Sequence, residues 1–436
     1  MPKIAFMGAG STVFAKNVLG DCLLTPALAD AAIALYDIDA RRLADSRLML
    51  ENLNRNHGGK ATIEAYLGVG NRRAALAGAD YVVNAIQVGG YEPCTVTDFE
   101  IPRKYGLRQT IADTLGIGGI FRTLRTAPVM LDFARDMEAV CPGAWFLNYT
   151  NPMAMLTGVM LRGSAVRTVG LCHSVQVCAP HLLRHLGIEA AELQWKIAGI
   201  NHQGWLLEIT DGGRDLYPEI KAKAAAMNAA KKHGDMVRFE VMRRFGYYIT
   251  ESSEHCAEYM PYWIRKDSPE LIERYNIPLD EYPRRCVNQI KGWERQRDEL
   301  VNDRNLSHTR THEYASFIME AMETDQPYRI GGNVLNTGLI GNLPANCVVE
   351  VPCMVDRNGV VPCHVGELPE ACAALNRTNI NVQLLTVEAV LSGRKDCVYQ
   401  AAMLDPHTAA ELNIDQIVAM CDDLFAAHGD WIPPMK

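Results

Sequence analysis

The run Lys3-Ile4-Ala5-Phe6-Met7-Gly8-Ala9-Gly10-Ser11-Thr12 decides the fold of this chain. Five mostly apolar residues end in a glycine turn, and apolar residues at helical spacing follow from Val13 to Leu23, which predicts strand, tight turn, helix. A Gly-x-Gly turn in that setting lets the backbone approach a pyrophosphate. The anion then sits at the helix N-terminus, where unpaired N–H groups and the helix dipole favour it. Val13 stands where the usual fingerprint has its third glycine.

Working outward, a second strand from Ala31 to Tyr36 closes on Asp37, and Asp39 caps a helix through Asn56, completing a βαβ unit. A carboxylate at Asp37 can accept from both ribose hydroxyls and repels a 2′-phosphate, so NAD is expected over NADP; its other reading is a helix cap shared with Asp39. Gly8, Gly10, Ser11, Thr12 and Asp37 are the nucleotide-binding candidates. Asn84 and Gln87 join them because Asn84-Ala85-Ile86-Gln87-Val88-Gly89-Gly90 leaves a third strand (Asp80 to Ile86) and turns on glycines, either over the cofactor or as a plain surface turn. Trp145 to Asn148 and Val166 to Leu171 make five strands by residue 171, with a helix from Arg122 to Val140 among them.

Beyond Ile188 the alternation fades. Lys221 to Phe245 and Pro283 to Asp303 are charged and helical, and Val348 to Val361 is β-rich with a turn at Asp356 to Gly359. The expected fold is α/β: an N-terminal Rossmann-type doubly wound parallel sheet (residues 1–195) packed against a mixed α+β domain (196–436) that carries the substrate and metal site and the oligomer contacts.

The length of 436 residues, 48% of them apolar, suits two closely packed domains, and a net charge of −8 without a basic run argues against nucleic-acid binding. Thirteen scattered cysteines do not form a disulfide or metal-ribbon pattern, and neither a signal peptide nor eighteen consecutive apolar residues occur, so a cytoplasmic protein without membrane association is expected.

Chemistry-bearing residues cluster in a few places. Gly170-Leu171-Cys172-His173-Ser174-Val175 puts a thiol and an imidazole at the C-terminal end of a strand, where α/β sheets assemble their sites. Gly199-Ile200-Asn201-His202-Gln203-Gly204 adds a second imidazole in a glycine-bounded turn. Cys172 and His202 together make an incomplete metal shell, to be completed by substrate oxygens and water, which suits Mn²⁺ acting as a Lewis acid. Tyr247-Tyr248-Ile249-Thr250-Glu251-Ser252-Ser253-Glu254-His255 is dense in proton-transfer groups, or else is a solvated helix start. Thr110 to Gly119, holding Asp113, reads as a flexible loop. Asn148-Tyr149-Thr150-Asn151-Pro152 opens a helix with Pro152 at its first position, as in lactate and malate dehydrogenases, which keeps a 2-hydroxyacid dehydrogenase as a rival reading.

In order along the chain, Gly8 to Thr12, Val88 to Pro93, the Asp113 loop, Asn148 to Met153, Cys172 to Val175, Gly199 to His202, Glu251 to His255 and Gly332-Asn333-Val334-Leu335-Asn336 resemble glycoside hydrolase family 4, most closely its bacterial melibiase-type α-galactosidases. The resemblance covers nearly the whole chain. It implies NAD⁺ and a divalent metal such as Mn²⁺, and hydrolysis of a small oligosaccharide or other α-galactoside by C3 oxidation, C1–C2 elimination, water addition and re-reduction. Cys172 and His202 match the metal ligands, with Cys172 a thiolate. Asp113, Asn151 and Asn336 are implied as substrate contacts. His173 falls where phospho-sugar members carry an acidic residue and takes the general-acid role. The base for C2 is left among Glu251, Glu254, His255 and Tyr247, because Ser252 occupies the place where relatives carry Tyr or Asp. Neighbouring branches cut α-glucosides, α-glucuronides or α-galacturonides; a uronate would need a cation such as His255, Arg284 or Arg285. Homodimers or homotetramers are implied as well.

Overall fold

The computed structural model describes residues 1–436. Thirteen strands form one sheet: β1 (Lys3–Met7), β2 (Ala32–Asp37), β3 (Thr62–Leu67), β4 (Tyr81–Asn84), β5 (Trp145–Asn148), β6 (Arg167–Leu171), β7 (Leu193–Ile200), β8 (Gln203–Asp211), β9 (Arg214–Asp215), β10 (Tyr248–Ile249), β11 (Tyr328–Leu335), β12 (Val348–Asp356) and β13 (Gly359–Pro362). The first six run parallel in the order 3-2-1-4-5-6, the doubly wound arrangement of dinucleotide-binding proteins. Strand β6 then takes β11 as an antiparallel neighbour, and the sheet continues through β12, β7, β8 and β10 with every further pair antiparallel.

The expected Rossmann half is therefore present, with one strand more than the pattern showed. β3 escaped notice because it lies at the sheet edge and alternates exposed and half-buried residues, without the apolar run that marks β1 or β4. The C-terminal half extends the same sheet. Residue 195 lies inside β7, so the division at 195/196 falls within a hydrogen-bonded strand. The hairpin turn between β12 and β13 joins Asp356 to Gly359, as the sequence pattern suggested.

One core of buried apolar side chains runs through both halves, from Ile4 and Phe6 to Val349, Ile380 and Leu424. The helices Gly116–Val140, Met153–Gly163 and Glu370–Ser392 pack on one another against it. A smaller core, including Leu182, Leu206, Ile220 and Tyr248, sits under β7 and β8.

Candidate active site

At the C-terminal ends of the parallel strands lies a cavity of about 270 Å³. Of the residues singled out from sequence, Ser11, Gln87, Asp113, Asn151, Cys172 and His173 line it, joined by Phe14, Arg122, Tyr149 and Tyr282.

The nucleotide end is built by the first turn. Gly8 has φ +89°, a conformation costly for any residue with a Cβ, and its amide and that of Ala9 both donate to the Tyr36 carbonyl. A Cβ on Gly10 would stand 2.7 Å from Asp37 Oδ2. That oxygen accepts from the Gly10 amide at 2.6 Å, and Asp37 Oδ1 accepts from the Asp39 amide at 2.9 Å. Each carboxylate oxygen retains a second lone pair for a ribose hydroxyl. Asp39 alone caps the helix Ala40–Asn56, accepting from Arg41 and Arg42. Thr12 is the buried first residue of helix Thr12–Leu24, whose first turn carries no acidic residue and whose Ser11 makes no capping bond, so its N-terminal N–H groups stay available to an anion. Asn84 sits differently from expectation. It is fully buried, and its amide nitrogen donates to Asn148 and Thr150, tying the ends of β4 and β5 together below the cavity.

The second cluster gathers Cys172, His202 and Glu251, whose donor atoms all lie within 4.8 Å of one another. Cys172 follows β6 and caps the helix His173–Leu186. His202 lies in the two-residue turn between β7 and β8, at φ +62°; Glu251 follows β10, at φ +65°. Left-handed backbone at a non-glycine residue costs on the order of 1–3 kcal/mol, and two of the three cluster residues carry it. The sequence pattern left the remaining metal positions to substrate and water; Glu251 supplies a third protein donor. His202 Nδ1 is buried without a partner. Burial first, and then the carboxylates of Glu350 and Glu251, hold the Cys172 thiol well above its ordinary range. A thiolate here therefore requires a cation beside it. Burial works to raise Glu251, but the charges of His202, His255 and Arg238 outweigh it and keep this carboxylate below its ordinary value. Thiolate, imidazole and carboxylate gathered at a partly buried spot are a donor set fitted to a divalent transition ion.

From this cluster a chain of ionisable groups leads to Asp113. Glu251 lies 3.8 Å from His202 Nε2 and 3.5 Å from His255 Nδ1, and His255 Nε2 lies 3.8 Å from Asp113. Burial opposes ionisation of Asp113, yet the neighbouring His255 and the charges of Arg122 and His202 hold its carboxyl far below the usual range. Asn151 precedes Pro152, which caps helix Met153–Gly163 from one position earlier than expected, and its amide reaches 3.5 Å from Asp113. His173 Nε2 meets Glu313 at 2.7 Å, a contact that raises the imidazole above its ordinary value against partial desolvation.

Three candidates stand apart from the cavity. Glu254 is bound to Arg285 at 2.6 Å, Tyr247 packs edge-on against Tyr217, and Asn336 is fully buried, its amide spent on the carbonyls of Ile340, Leu343 and Pro344. Arg284 and Arg285 both pair with Glu281. The Asp113 loop is not a free lid. The buried Glu258 accepts from the amides of Thr110, Ile111 and Ala112, and Ala112 is held at φ +52°. Burial pushes the Glu258 carboxyl up, with those amides opposing.

Sequence reading missed Arg122, Glu258, Glu313 and Glu350. A glutamate inside the apolar strand Val348-Val349-Glu350-Val351 was a visible signal; nothing local marks Glu313, whose partner lies 140 residues away. Burial pushes the fully buried Glu350 carboxyl up to about 7.

A doubly wound sheet whose strand ends collect a glycine turn, an open helix N-terminus and a thiol–imidazole–carboxylate cluster defines an enzyme fold of the dinucleotide-binding class. The chain belongs to glycoside hydrolase family 4: its sequence matches the family 4 glycosyl hydrolase model over residues 3–188 and the family's C-terminal domain over residues 197–408. It is 63% identical to an α-galactosidase of Bacillus subtilis over the full length of both chains. It is 36% identical to an α-galactosidase of Rhizobium meliloti, covering 99% of this chain and 89% of that one. A 6-phospho-α-glucosidase from gut microorganisms, solved with NAD and Mn²⁺, shares the fold with a TM-score of 0.81 at 20% identity, covering all of both chains. The rival 2-hydroxyacid dehydrogenase reading gives way to this family. No helix is long and apolar enough to cross a membrane.

Proposed function

We propose that this chain is an α-galactosidase that works with NAD and a divalent metal, Mn²⁺ being the natural choice for the donor set. The observation that carries the reading is the Cys172–His202–Glu251 cluster beside the cavity that begins at Ser11 and Gln87, in a chain 63% identical to an α-galactosidase. Cys172, His202 and Glu251 would hold the metal; the Gly8–Thr12 turn and Asp37 would hold the nucleotide. When bound, the nicotinamide accepts and returns the C3 hydride, and the metal serves as a Lewis acid toward the sugar oxygens at C2 and C3. The reaction so assembled is oxidation at C3, loss of the C2 proton, elimination of the C1 aglycone, addition of water and reduction at C3, hydrolysis without net oxidation.

The protein's own groups position and move protons. Asp113 and Asn151, facing one cavity wall, accept from and donate to sugar hydroxyls. His173, whose imidazole Glu313 holds above its ordinary value, donates to the departing glycosidic oxygen. His255 and Glu251, which join the metal cluster to Asp113, are the first choices for the C2 base, ahead of Glu254, paired with Arg285, and Tyr247, packed against Tyr217. Activity on p-nitrophenyl α-galactoside is expected to need both NAD and Mn²⁺, with slower turnover on substrate deuterated at C2 or C3. Full turnover after both are stripped removes the proposal.

A second reading, an α-galacturonidase, stands on Arg122. This buried cation lines the cavity, and its hydrogen-bond partner is the Tyr282 hydroxyl at 3.2 Å. Competing the galactoside against the galacturonide decides between them; preference for the uronate would transfer the assignment.

A further inference from the structure

Two of the metal-cluster residues come from strands that are not neighbours. Cys172 follows β6 and His202 follows β7, and β11 and β12 lie between those strands in the sheet. One row of paired residues crosses this gap: Gly170 on β6 faces Asn333 on β11, Asn333 faces Glu350 on β12, and Glu350 faces Gly199 on β7. Side-chain bonds follow the row. Asn333 Nδ2 donates to the Gly170 carbonyl at 3.3 Å and to Glu350 Oε1 at 2.8 Å. The same Oε1 accepts from Asn201 Nδ2 at 3.4 Å, and Asn201 is the residue before His202. Asn333, Glu350 and Asn201 are all fully buried. A Cβ at Gly170 would come within 2.5 Å of Thr157 Oγ1, 2.6 Å of Met153 Sδ and 2.9 Å of Asn333 Cβ, so glycine there admits both the helix Met153–Gly163 and the bridge.

A carboxyl in the dry centre of an apolar strand is costly, and Val or Leu would bury more favourably at that place. Packing does not account for Glu350. Its geometry does: one oxygen gathers the donors that tie the Cys172 strand to the His202 turn, while His202 itself sits in strained left-handed backbone.

We propose that Glu350, with Asn333, is a positioning pair that sets the separation of Cys172 and His202 and thereby the affinity of the cluster for a divalent cation. The inference rests on Cys172–His202–Glu251 being the metal site. Partners that orient metal ligands typically contribute about 10–100-fold to metal affinity.

The test is titration of Mn²⁺ into the apo protein under reducing conditions, reading the free ion by electron paramagnetic resonance, with NAD affinity measured in parallel. Glu350→Ala is expected to weaken Mn²⁺ binding by about 10–100-fold while NAD affinity stays at the wild-type value. Glu350→Gln retains the accepting oxygen and is expected to bind Mn²⁺ within about 3-fold of wild type, as the hydrogen-bond argument requires. Asn333→Ala, which leaves the carboxyl in place and cuts its link to Gly170, is expected to show the same selective loss and decides the matter if Glu350→Ala does not fold. Wild-type Mn²⁺ affinity in the alanine variants overturns the proposal, as does a parallel fall in Mn²⁺ and NAD affinity, or a glutamine variant as weak as the alanine one. Wild-type protein that binds no Mn²⁺ overturns the metal-site reading itself, a different failure from equal binding by wild type and variants.

Discussion

Cys172, His202 and Glu251 are ordinary residue types in unremarkable local sequence, and each is given its role by where a strand ends. The first two were legible as strand-end and turn residues; Glu251 was visible only as one of several proton-transfer candidates. Its two possible roles separate cleanly. If Glu251 is a metal donor, Glu251→Gln lowers Mn²⁺ affinity by at least ~10-fold. If it is the C2 base, that variant keeps its affinity and loses exchange of the C2 proton with solvent, whereas His255→Asn keeps exchange. Cys172→Ser is expected to abolish turnover and lower Mn²⁺ affinity while leaving NAD binding intact, because the Gly8–Thr12 turn lies on a different strand. Asn336 shows the opposite lesson. An asparagine in a family-like run reads as a substrate contact, yet the carbonyls of Ile340, Leu343 and Pro344 claim its amide, and nothing in its neighbours announces that loop.

At the scale of elements, the short helix Ser253–Glu258 serves the site from two positions. His255 faces Asp113, and Glu258, one turn on, clamps the amides that lead to it. An amide in place of that carboxylate would turn N–H donors toward N–H donors. Glu258→Gln is therefore expected to reduce kcat/KM by about 10–100-fold, since misplacing a substrate-contact residue by an ångström costs that much; unchanged kinetics would show the loop to be held by other means. The helix Met236–Phe245 carries a second buried anchor. Asp235 is bound by Arg238 and by the Tyr248 hydroxyl at 2.6 Å. Burial opposes its charge, but Arg238, His185 and Tyr248 outweigh this and lower its pKa from 3.8 to about 2. Because the folded value is the depressed one, this stabilisation is complete above about pH 4 and is lost as pH falls toward 2, on the order of 2 kcal/mol. Replacing Asp235 with Asn should flatten the acid limb of the stability curve over that window, measured by urea midpoints against pH. The charge pattern from Lys221 to Phe245 foretold helix here, but the network needs β10, which only pairing to β8 creates.

Across the whole molecule the decisive feature is the continuous sheet. Arg125 and His428 meet Asp98 at 2.6 and 2.9 Å in a fully buried triad that fastens the C-terminal helix Ile414–His428 to the nucleotide-binding half. With one core through both halves and β6 edged by β11, unfolding is expected to be a single transition, with coincident urea curves by circular dichroism and tryptophan fluorescence. Two separated transitions would show the halves to be independent. Equally, a fragment ending at residue 195 would cut β7 and leave β6 an open edge, so it is expected to be insoluble or unfolded. The amino-acid sequence alone determined the Rossmann half, the glycine turn and the thiol and imidazole that Cys172 and His202 bring together, because strand–turn–helix signals and end-of-strand residues are written in local pattern. Tertiary structure alone decided that Glu251 joins that cluster, that Glu313 faces His173, and that Asn333 and Glu350 stand between β6 and β7. Those pairings join residues from 17 to 140 positions apart, and their distances follow from strand order and register, which hydrophobic periodicity does not encode.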